Sequence, residues 1–290
     1  MSTRPPTRIG TTSFHWGERT FVMGILNVTP DSFSGDGLLA VDDPVSAAVG
    51  RARRMVADGA DLLDIGGESS RPGHSPVAAD QERDRVVPAI AAIRAALPET
   101  PISIDTTKPS VAEAALDAGA DLINDVHGTG PDDTLARLAA ARHVPIVLMH
   151  GREEARYEDV VAEVVADLRA AVERAVTAGM AAADIIVDPG IGFGKTADHN
   201  VTLLRELAAL GALGLPILLG TSRKSTIGRI LDLPAEDRLE GTLATTALGI
   251  AAGVDIVRVH DVRANVRAAR VSDAIVRGTW RGEATEGGPG

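Results

Sequence analysis

Polar and charged side chains recur at one kind of position in this sequence, at the ends of short apolar runs. Asp105 ends the run "PISID", and Asp188 ends the run "DIIVD". The residues at these positions are Asn27, Glu68, Ser69, Ser70, Arg71, Asp105, Asn124, Asp125, Met149, His150, Asp188, Ser222, Arg223, Lys224, Ser225, Arg258 and His260. Polar groups are costly to bury without partners, so a structural role alone does not require them after every run. The pattern predicts a binding or catalytic site.

Three of these residues carry groups that bind a flat heterocycle. Asp105, Asn124 and Asp188 would present carboxylate and amide groups. A carboxylate pairs with an N–H/NH2 edge through two parallel hydrogen bonds, so this set suits a ring with amino and lactam groups. Lys224 would reach a ring carbonyl or a ring nitrogen.

A second set suits a phosphate or a diphosphate. Arg71, Arg258 and His260 form a cationic and polar cluster with Asn27. The whole chain carries a net charge of −11, so an anionic substrate needs such a local cluster. Mg²⁺ uses few protein ligands and keeps most of its waters. An oxygen such as that of Asn27 would therefore bridge Mg²⁺ to the phosphates.

Each of these residues also has a purely structural interpretation. Asp105 could cap the helix that follows "DTTKP", and Asn124 could satisfy backbone groups of its loop. His260 could be an ordinary loop histidine, and Arg223 could pair with acids on the outer surface. The placement of the whole set at one end of the runs favours a site.

The apolar runs predict the fold. Each is short, nearly continuous and rich in β-branched residues, as expected of strands buried on both faces of a parallel sheet. The eight runs cover residues 21–28, 61–67, 101–107, 121–126, 144–150, 184–190, 215–222 and 254–260. Amphipathic segments between them are clearest at 43–59, 80–97, 109–119, 132–143, 158–179 and 235–252. Strand–helix alternation predicts an α/β fold, a closed (β/α)8 TIM barrel with its site at the carboxyl ends of the strands. A doubly wound open sheet is the alternative.

No linker divides the sequence into separate domains. We expect residues 1–20 to form an N-terminal extension whose hairpin closes the bottom of the barrel, and residues 21–278 to form the barrel itself. The polar, glycine-rich segment 279–290 is predicted to be disordered.

The tag "aGaD" precedes three of the runs, as in "DGADLLD" (58–64). Its glycine is expected to end a helix in the left-handed conformation.

The composition narrows the class of protein. Hydrophobic residues make up 44% of the 290 residues and aromatic residues only 2%, so aliphatic side chains must fill the core. The chain has no cysteine, which excludes disulfides, thiolate metal sites and cysteine nucleophiles. The acidic net charge disfavours nucleic acid and anionic membrane as partners. The sequence "MSTRPPTRIG" lacks an apolar signal region, and no long apolar stretch occurs. We therefore expect a soluble cytoplasmic protein.

The stretch "DPGIGFGKT" (188–196) has the composition of a nucleotide phosphate loop but not its spacing. That motif needs G-x-x-x-x-G-K-[ST], and Pro189 stands at its first position. We interpret Asp188 as the functional residue, the glycines as a tight turn beside a flat ring, and Phe193 as an apolar wall. Lys195 is predicted to be a structural partner of a neighbouring acid.

The motifs, in their order, closely resemble those of the dihydropteroate synthase family of folate biosynthesis. They are "GILNVTPDSFSGDG" (24–37), "DIGGESSRPG" (64–73), "ISIDTTKP" (102–109), "LINDV" (122–126), "LMH" (148–150), "DPGIGFGKT" (188–196), "GTSRKSTIG" (220–228) and "RVHDV" (258–262). The resemblance implies a barrel that joins 6-hydroxymethyl-7,8-dihydropterin diphosphate to 4-aminobenzoate. It implies 7,8-dihydropteroate and diphosphate as products, formed with Mg²⁺ by an SN1-like loss of diphosphate.

The resemblance also implies the role of individual residues, some of which serve more than one substrate. The implied pterin contacts are Asp105, Asn124, Val126, Met149, Asp188, Gly220, Lys224 and Arg258. The implied diphosphate contacts are Asn27, Ser70, Arg71, Arg258 and His260, with Asn27 as the metal ligand. The implied aminobenzoate contacts are Ser70, Arg71, Pro72, Phe193, Lys224 and Ser225. The residues expected to act in catalysis are Asp105, Asp188, Lys224 and Arg258.

Two loops that are mobile in the family match residues 28–40 and 71–78 of this chain. The family commonly reads "SDGG" where this chain reads "SGDG" (34–37), so Asp36 receives no role. Arg152 also receives none, because the family varies after the "LMH" motif.

Two further expectations follow from the resemblance. The family is commonly dimeric, and the apolar helices predicted at 235–252 and 261–277 offer a surface for a homodimer. Sulfonamides mimic aminobenzoate, and the pocket residues match the family's ordinary form, which implies sensitivity to these drugs. These pocket residues are Phe33, Ser70 and Pro72.

Other functions stay open. A barrel that passes a methyl group from methyltetrahydrofolate to a corrinoid protein shares the pterin acids, but it should lack "SSRPG" and "SRKS", which are present here. A pterin-binding paralogue without synthase activity should have lost members of the phosphate cluster, and this chain keeps them. A phosphosugar barrel enzyme predicts glycine-rich loops after the last two strands, where this chain has "RVHDV" after the eighth.

Overall fold

The computed structural model describes residues 4–29, 43–68 and 77–280. A two-stranded antiparallel hairpin comes first, followed by eight parallel strands. The hairpin consists of β1 (Thr7–Ile9) and β2 (Thr12–Phe14). The parallel strands are β3 (Phe21–Asn27), β4 (Leu62–Gly66), β5 (Ile102–Asp105), β6 (Leu122–Asp125), β7 (Ile146–Met149), β8 (Ile185–Asp188), β9 (Leu218–Leu219) and β10 (Ile256–Val259).

Helices alternate with the parallel strands along the chain. They are α1 (Pro44–Ala57), α2 (Ala79–Ala96), α3 (Pro109–Asp117), α4 (Thr134–Arg142), α5 (Val160–Thr177), α6 (Ala197–Arg205), α7 (Ser225–Leu231), α8 (Leu239–Ala251) and α9 (Val262–Val276). Short 3-10 helices cover Ala182–Asp184, Leu207–Leu213 and Ala235–Asp237. The helix predicted over 235–252 is thus divided into a 3-10 turn and α8.

The parallel strands close into a barrel. Consecutive strands pair from β3 through β8, and β10 pairs with both β3 and β9. A parallel bridge between Val187 and Ile217 joins the two remaining edges. This closure confirms the predicted (β/α)8 barrel and excludes the doubly wound open sheet, which keeps two free edges.

Side chains of each strand alternate between two environments. On β4, Leu63 and Ile65 pack in the core between strands and helices, whereas Leu62 points into the barrel. The same alternation sends Asp64 inward, where it meets Arg258 of β10. The inward positions near the strand starts are apolar and those near the carboxyl ends are polar. The polar positions are therefore brought together inside one end of the barrel.

The hairpin fills the opposite end. Ile9 and Phe14 of the hairpin and Trp16 beyond it are buried with inward residues from the starts of the strands. The Phe14 ring lies 4.6 Å from that of Phe21 between centroids. The indole Nε1 of Trp16 donates to Thr7 Oγ1 over 3.0 Å, so its polar atom is satisfied. The predicted hairpin is present at the bottom of the barrel.

The structure describes little of the predicted disordered tail and does not test the predicted boundaries of the barrel. The last helix ends at Val276, and residues 281–290 of the predicted disordered tail lie outside the described residues. Boundaries at residues 20 and 278 stay predictions. Within the described ranges, no helix combines the length and apolarity that a membrane span requires.

The glycine of the repeated tag adopts the predicted conformation. Gly59, Gly119 and Gly253 follow α1, α3 and α8 with φ values of +102°, +111° and +97°. Side chains other than glycine rarely tolerate such values. Each glycine therefore reverses the chain from a helix toward the next barrel strand.

Candidate active site

A buried group of charges lies inside the barrel at the carboxyl ends of its strands. Arg258 on β10 donates from Nε to Asp64 Oδ2 over 2.6 Å and from Nη2 to Asp105 Oδ2 over 2.6 Å. The Asp64 side chain is fully buried, and 9% of the Asp105 side chain is exposed. One guanidinium therefore holds carboxylates from two neighbouring strands, and charge-assisted hydrogen bonds of this kind are strong.

Asp64 is a member of this group that the sequence analysis did not single out. Its Oδ2 also accepts a hydrogen bond from Asn124 Nδ2 over 3.1 Å. Its Oδ1 is buried and has no hydrogen-bond partner among the described residues. A signal was present in the sequence, since the alternation in "DLLDIGG" puts Asp64 on the inward face of a strand. A carboxylate there needs a partner.

The structure decides between the site and the structural alternatives for several residues. Helix α3 begins after Lys108 without a side-chain cap, so Asp105 does not cap it. The amide of Asn124 donates to a carboxylate of β4 and not to a loop. Arg223, in contrast, pairs with an acid, Asp261, over 2.6 Å, but both side chains are mostly buried and not on the outer surface.

Burial shifts the proton affinities of this group. It raises the pKa of Asp105, which Arg258 lowers and Asp64 raises further. Burial also raises the pKa of Asp188, against the effect of Lys224. Although burial lowers the pKa of Arg258, the carboxylates of Asp64 and Asp105 raise it by more. Arg258 is therefore a permanent positive charge between acids whose charges it stabilises.

Lys224 joins the site from the loop after β9, directly before α7. Its Nζ donates to the backbone oxygen of Ile191 and lies 4.6 Å from the centre of the Phe193 ring. Burial lowers the pKa of Lys224 to about 8, although Asp188 raises it. The predicted aminobenzoate residue Ser225 is the first residue of α7. The structure thus brings Lys224 and Phe193 together, as a shared pocket requires.

The remaining predicted pterin residues line the same end. Met149 and Val126 are buried at the ends of β7 and β6. A Cβ atom on Gly220 would lie 3.8 Å from Asp188 Oδ2 and 3.9 Å from the Arg258 side chain. Glycine at this position therefore leaves the space of a side chain open beside the Asp188 carboxylate and the Arg258 side chain.

The residues predicted to bind diphosphate can be placed only in part. His260 Nδ1 lies 3.0 Å from Ser222 Oγ, which also accepts from the His260 backbone N–H over 3.1 Å. Arg258 points to the two carboxylates, so the described residues do not show it in a cluster with His260. The predicted residues Phe33, Asp36, Ser70, Arg71 and Pro72 lie outside the described residues, as do most of the two predicted mobile loops, 28–40 and 71–78.

Asn27 is the predicted metal ligand. It ends β3, opposite Gly66 in the sheet register. Its side chain is half-buried there. The same ranges contain no group of three or more His, Cys, Asp or Glu side chains that would hold a metal ion by themselves. Mg²⁺ commonly binds through one or two protein oxygens together with substrate phosphates, and Asn27 suits that arrangement.

The prediction for Lys195 is wrong. Its Nζ lies 2.8 Å from His150 Nδ1 and donates to the backbone oxygens of Gly190 and Phe193 over 3.0 and 3.1 Å. Its hydrogen bonds thus go to a histidine and to carbonyls instead of to an acid. A helix also starts directly behind it, because Thr196 caps α6, which the sequence analysis did not recognise.

Comparison with known proteins agrees with this geometry. The family described as pterin binding enzyme matches residues 23–260. The dihydropteroate synthase of Bacillus subtilis is 51% identical over 259 residues, which are 89% of this chain and 90% of that protein. The chain belongs to the dihydropteroate synthase family. The Clostridium beijerinckii member of this family is 48% identical over 93% of this chain and 99% of its own length.

The fold of the family is also shared. The structure of Xanthomonas albilineans dihydropteroate synthase with 4-aminobenzoic acid is similar to this chain with a TM-score of 0.87 and 41% identity. The match covers 94% of this chain and 98% of that one. Dihydropteroate synthases thus share with this chain both the barrel and nearly its whole length.

Proposed function

We propose that this chain catalyses the condensation of 6-hydroxymethyl-7,8-dihydropterin diphosphate with 4-aminobenzoate to 7,8-dihydropteroate and diphosphate. The observation that carries the proposal is the buried set of Asp64, Asp105, Asn124 and Arg258 inside the barrel, in a member of the dihydropteroate synthase family. The set offers carboxylate and amide groups to a pterin. Its position at the carboxyl ends of the strands is where barrel enzymes build their sites.

The proposed reaction requires stabilisation of a developing charge and does not require a strong base. The diphosphate leaves from a methylene attached to a conjugated, electron-rich ring, so its loss generates a resonance-stabilised cation. Asp105 and Asp188 are buried at the carboxyl ends of β5 and β8. Burial raises the pKa of both, and in their ionised forms they stabilise that cation. Fixed charges in a site that excludes water act more strongly than in solution. The arylamine is unprotonated at neutral pH and needs no base to attack.

The second substrate is assigned to the pocket of Lys224 and Phe193. The ring of Phe193 supplies an apolar surface to an aromatic acid. Lys224 Nζ, 4.6 Å from that ring, supplies a positive charge beside it. These two features support the placement of 4-aminobenzoate here, next to the proposed pterin site.

Mg²⁺ is part of the proposal, with Asn27 as its protein ligand. When bound, it supplies positive charge to the departing phosphate oxygens. We expect chelation with EDTA to abolish turnover and Asn27→Ala to raise the Mg²⁺ concentration for half-maximal activity about tenfold, since a direct oxygen ligand is lost. Titration of the reaction with Mg²⁺ measures this. Affinity for dihydropteroate, which has no diphosphate, should stay unchanged; an unchanged Mg²⁺ requirement in the variant contradicts the assignment.

One experiment tests the function. The protein is incubated with the pterin diphosphate, Mg²⁺ and labelled 4-aminobenzoate, and labelled dihydropteroate and free diphosphate are measured. We expect them in equal amounts. Absence of both products rejects the proposal. Binding of pteroate without turnover then favours the silent pterin-binding paralogue, and methyl transfer from methyltetrahydrofolate to a corrinoid protein favours the methyltransferase.

We also propose that the chain forms a homodimer through α8 and α9. Leu248, Val271 and Ile275 are 69%, 61% and 78% exposed on these helices, which pack against one another. Large exposed apolar patches mark interaction surfaces. Ile275→Asp is expected to convert the dimer to a monomer, because a buried carboxylate would face the partner. Size-exclusion chromatography with light scattering measures the mass. Val201→Asp on α6, which replaces a 40% exposed valine, should leave the dimer intact; a monomeric wild type would contradict the proposal. Cytoplasmic location stays a prediction.

A further inference from the structure

The loop between β8 and α6 lies unusually close to the segment after β7. Gly190 and Gly194 have φ values of +64° and +58°. A Cβ atom on Gly190 would lie 1.7 Å from the backbone oxygen of His150, and one on Gly194 would lie 2.0 Å from that of Arg152. Only glycine permits this approach. The two segments are therefore built to lie in contact.

Lys195 joins these two segments. An ammonium group has three N–H donors. Besides a longer contact of 3.5 Å to the His150 backbone oxygen, Lys195 Nζ has three acceptors within 3.1 Å. They are His150 Nδ1 at 2.8 Å, the Gly190 oxygen at 3.0 Å and the Phe193 oxygen at 3.1 Å. The two contacts to carbonyl oxygens hold the loop backbone at Gly190 and at Phe193.

His150, which contacts Lys195, is itself held by a second contact. The His150 side chain is fully buried, and its Nε2 lies 3.1 Å from Asp167 Oδ2. A neutral ring that accepts from Lys195 on Nδ1 carries its proton on Nε2 and donates it to Asp167. Burial, together with Lys195, lowers the pKa of His150 to about 4, so the ring is neutral at pH 7. Arg152 holds Asp167 in turn, over 2.7 Å.

The loop that Lys195 holds carries two groups of the proposed aminobenzoate pocket. Ile191 supplies the backbone oxygen that accepts from Lys224, and Phe193 supplies the ring beside Lys224 Nζ. Both residues lie in the stretch whose ends, Gly190 and Phe193, are bonded to Lys195. A shift of this stretch therefore moves the wall of the pocket and the contact that orients its cation.

We propose that Lys195 is a positioning residue for 4-aminobenzoate, acting through the loop of residues 190–194 on Phe193 and Lys224. Lys195 does not touch the substrate in this role. The inference rests on the proposed function for its kinetic part only, because the anchoring of the loop is measurable without any substrate.

The first measurement is amide hydrogen exchange in Lys195→Met, which keeps the apolar stem and loses all three donors. In the wild type, the Phe193 amide donates to the Gly190 oxygen over 3.1 Å and the Gly192 amide to Asn200 Oδ1 over 2.9 Å. We expect both amides to exchange at least about tenfold faster in the variant, since local opening becomes easier. Unchanged exchange in this loop overturns the proposal, whether or not the protein is active.

The second measurement is steady-state kinetics of the same variant. We expect the KM for 4-aminobenzoate to rise on the order of tenfold, because small misplacements of binding groups weaken productive binding. The KM for the pterin diphosphate should change by less than about twofold. A purely structural role would lower Tm and leave both KM values unchanged, and that result overturns the proposal. A wild type that forms no dihydropteroate rejects the proposed function instead, and the exchange result stands by itself.

Arg174→Met is the matched control. Arg174 also bonds a loop carbonyl, that of Gly130 at 2.7 Å, in a stretch to which no substrate contact is assigned. We expect its KM values to match the wild type. An equal rise in KM for 4-aminobenzoate in both variants overturns the specific role of Lys195.

Two His150 variants test the same proposal if Lys195→Met does not fold. The oxygen of an asparagine at position 150 takes the place of Nδ1 and accepts from Lys195, whereas a leucine offers no acceptor. We expect His150→Leu to raise the KM for 4-aminobenzoate and His150→Asn to restore most of the wild-type value. Equal KM values in the two variants overturn the proposal.

Discussion

Replacement of Arg258 by methionine is expected to lower the free energy of unfolding by about 3–5 kcal/mol at pH 7, because removal of one partner from a buried ion pair leaves charge without compensation. Arg258 joins Asp64 and Asp105, so its loss leaves two buried carboxylates facing one another. Denaturant unfolding measures the stability. We also expect kcat/KM to fall by on the order of 10³-fold, as for the loss of a preorganised electrostatic group.

The loss of stability in Arg258→Met should depend on pH. In the wild type Arg258 lowers the pKa of Asp105, which burial raises, so its removal raises that pKa further. A carboxyl group whose folded-state pKa exceeds its unfolded-state value binds a proton on folding. Its cost to stability is therefore complete above the folded-state pKa and vanishes as the pH falls below the unfolded-state value, about 3.9. Because burial already raises the pKa of Asp105 to about 7 in the wild type, the difference between wild type and variant should shrink as the pH falls from above 8 to about 7 and stay constant below that, where Asp105 is protonated in both folded proteins.

Arg142→Met is the control for this prediction. Arg142 pairs with Asp117 at the surface, where 63% of the aspartate side chain is exposed. Such pairs contribute about 0–1 kcal/mol, so this variant should differ little from wild type at any pH. A similar, small loss in Arg258→Met would contradict the view that the guanidinium holds two buried acids together.

Arg258 shows which part of the site could not be predicted from the sequence. The sequence placed Arg258, Asp105 and Asp188 at strand ends, because apolar runs identify buried strands and polar residues mark their termini. It did not show that Arg258 pairs with Asp64, which lies 194 positions away. Pairing depends on strand register around a closed barrel, and short-range patterns carry no such information.

Short elements were missed for a related reason. Helix α7 has seven residues, too few to show a helical repeat of apolar side chains. Helix α6 is as long as α3 and α4, which were predicted, so its length does not explain why it was missed. The helix predicted over 235–252 was too long, because Arg238 donates to the backbone oxygens of Leu233 and Arg223 and holds the chain as a turn before α8. These contacts are tertiary, so propensity alone does not set the start of the helix.

The prediction for the glycines of the β8–α6 loop was incomplete. The sequence predicts a tight turn beside a ring at these glycines and only a structural role for Lys195. In the structure, Gly190 and Gly194 permit contact with residues 150–152 as well, and Lys195 bonds across that contact. The requirement for glycine came from a second segment of the chain, which only the fold brings near.

Loss of the Lys224 ammonium is expected to lower kcat/KM for 4-aminobenzoate by on the order of 10²–10³-fold in Lys224→Met, the range found when one preorganised polar group is removed. Lys224 is the cation beside the Phe193 ring, and its environment makes its charge sensitive to pH. Burial lowers its pKa to about 8, although Asp188 raises it. A lysine is charged below its pKa, so activity that depends on the ammonium is kept below pH 8 and lost above it.

The pH profile of kcat/KM therefore separates Lys224 from the neighbouring lysine. This quantity reports the ionisation of the free enzyme, and we expect an alkaline limb with a midpoint of about 8 in the wild type. The limb should be absent from the residual activity of Lys224→Met. Burial also lowers the pKa of Lys195, to about 7, so its proposed effect on 4-aminobenzoate binding adds a second, smaller limb near pH 7. Lys195→Met is therefore the matched comparison: it should lose the smaller limb and keep the limb near pH 8. A limb near pH 8 that persists in Lys224→Met, or that disappears in Lys195→Met, assigns the titration to another group and removes the electrostatic role of Lys224.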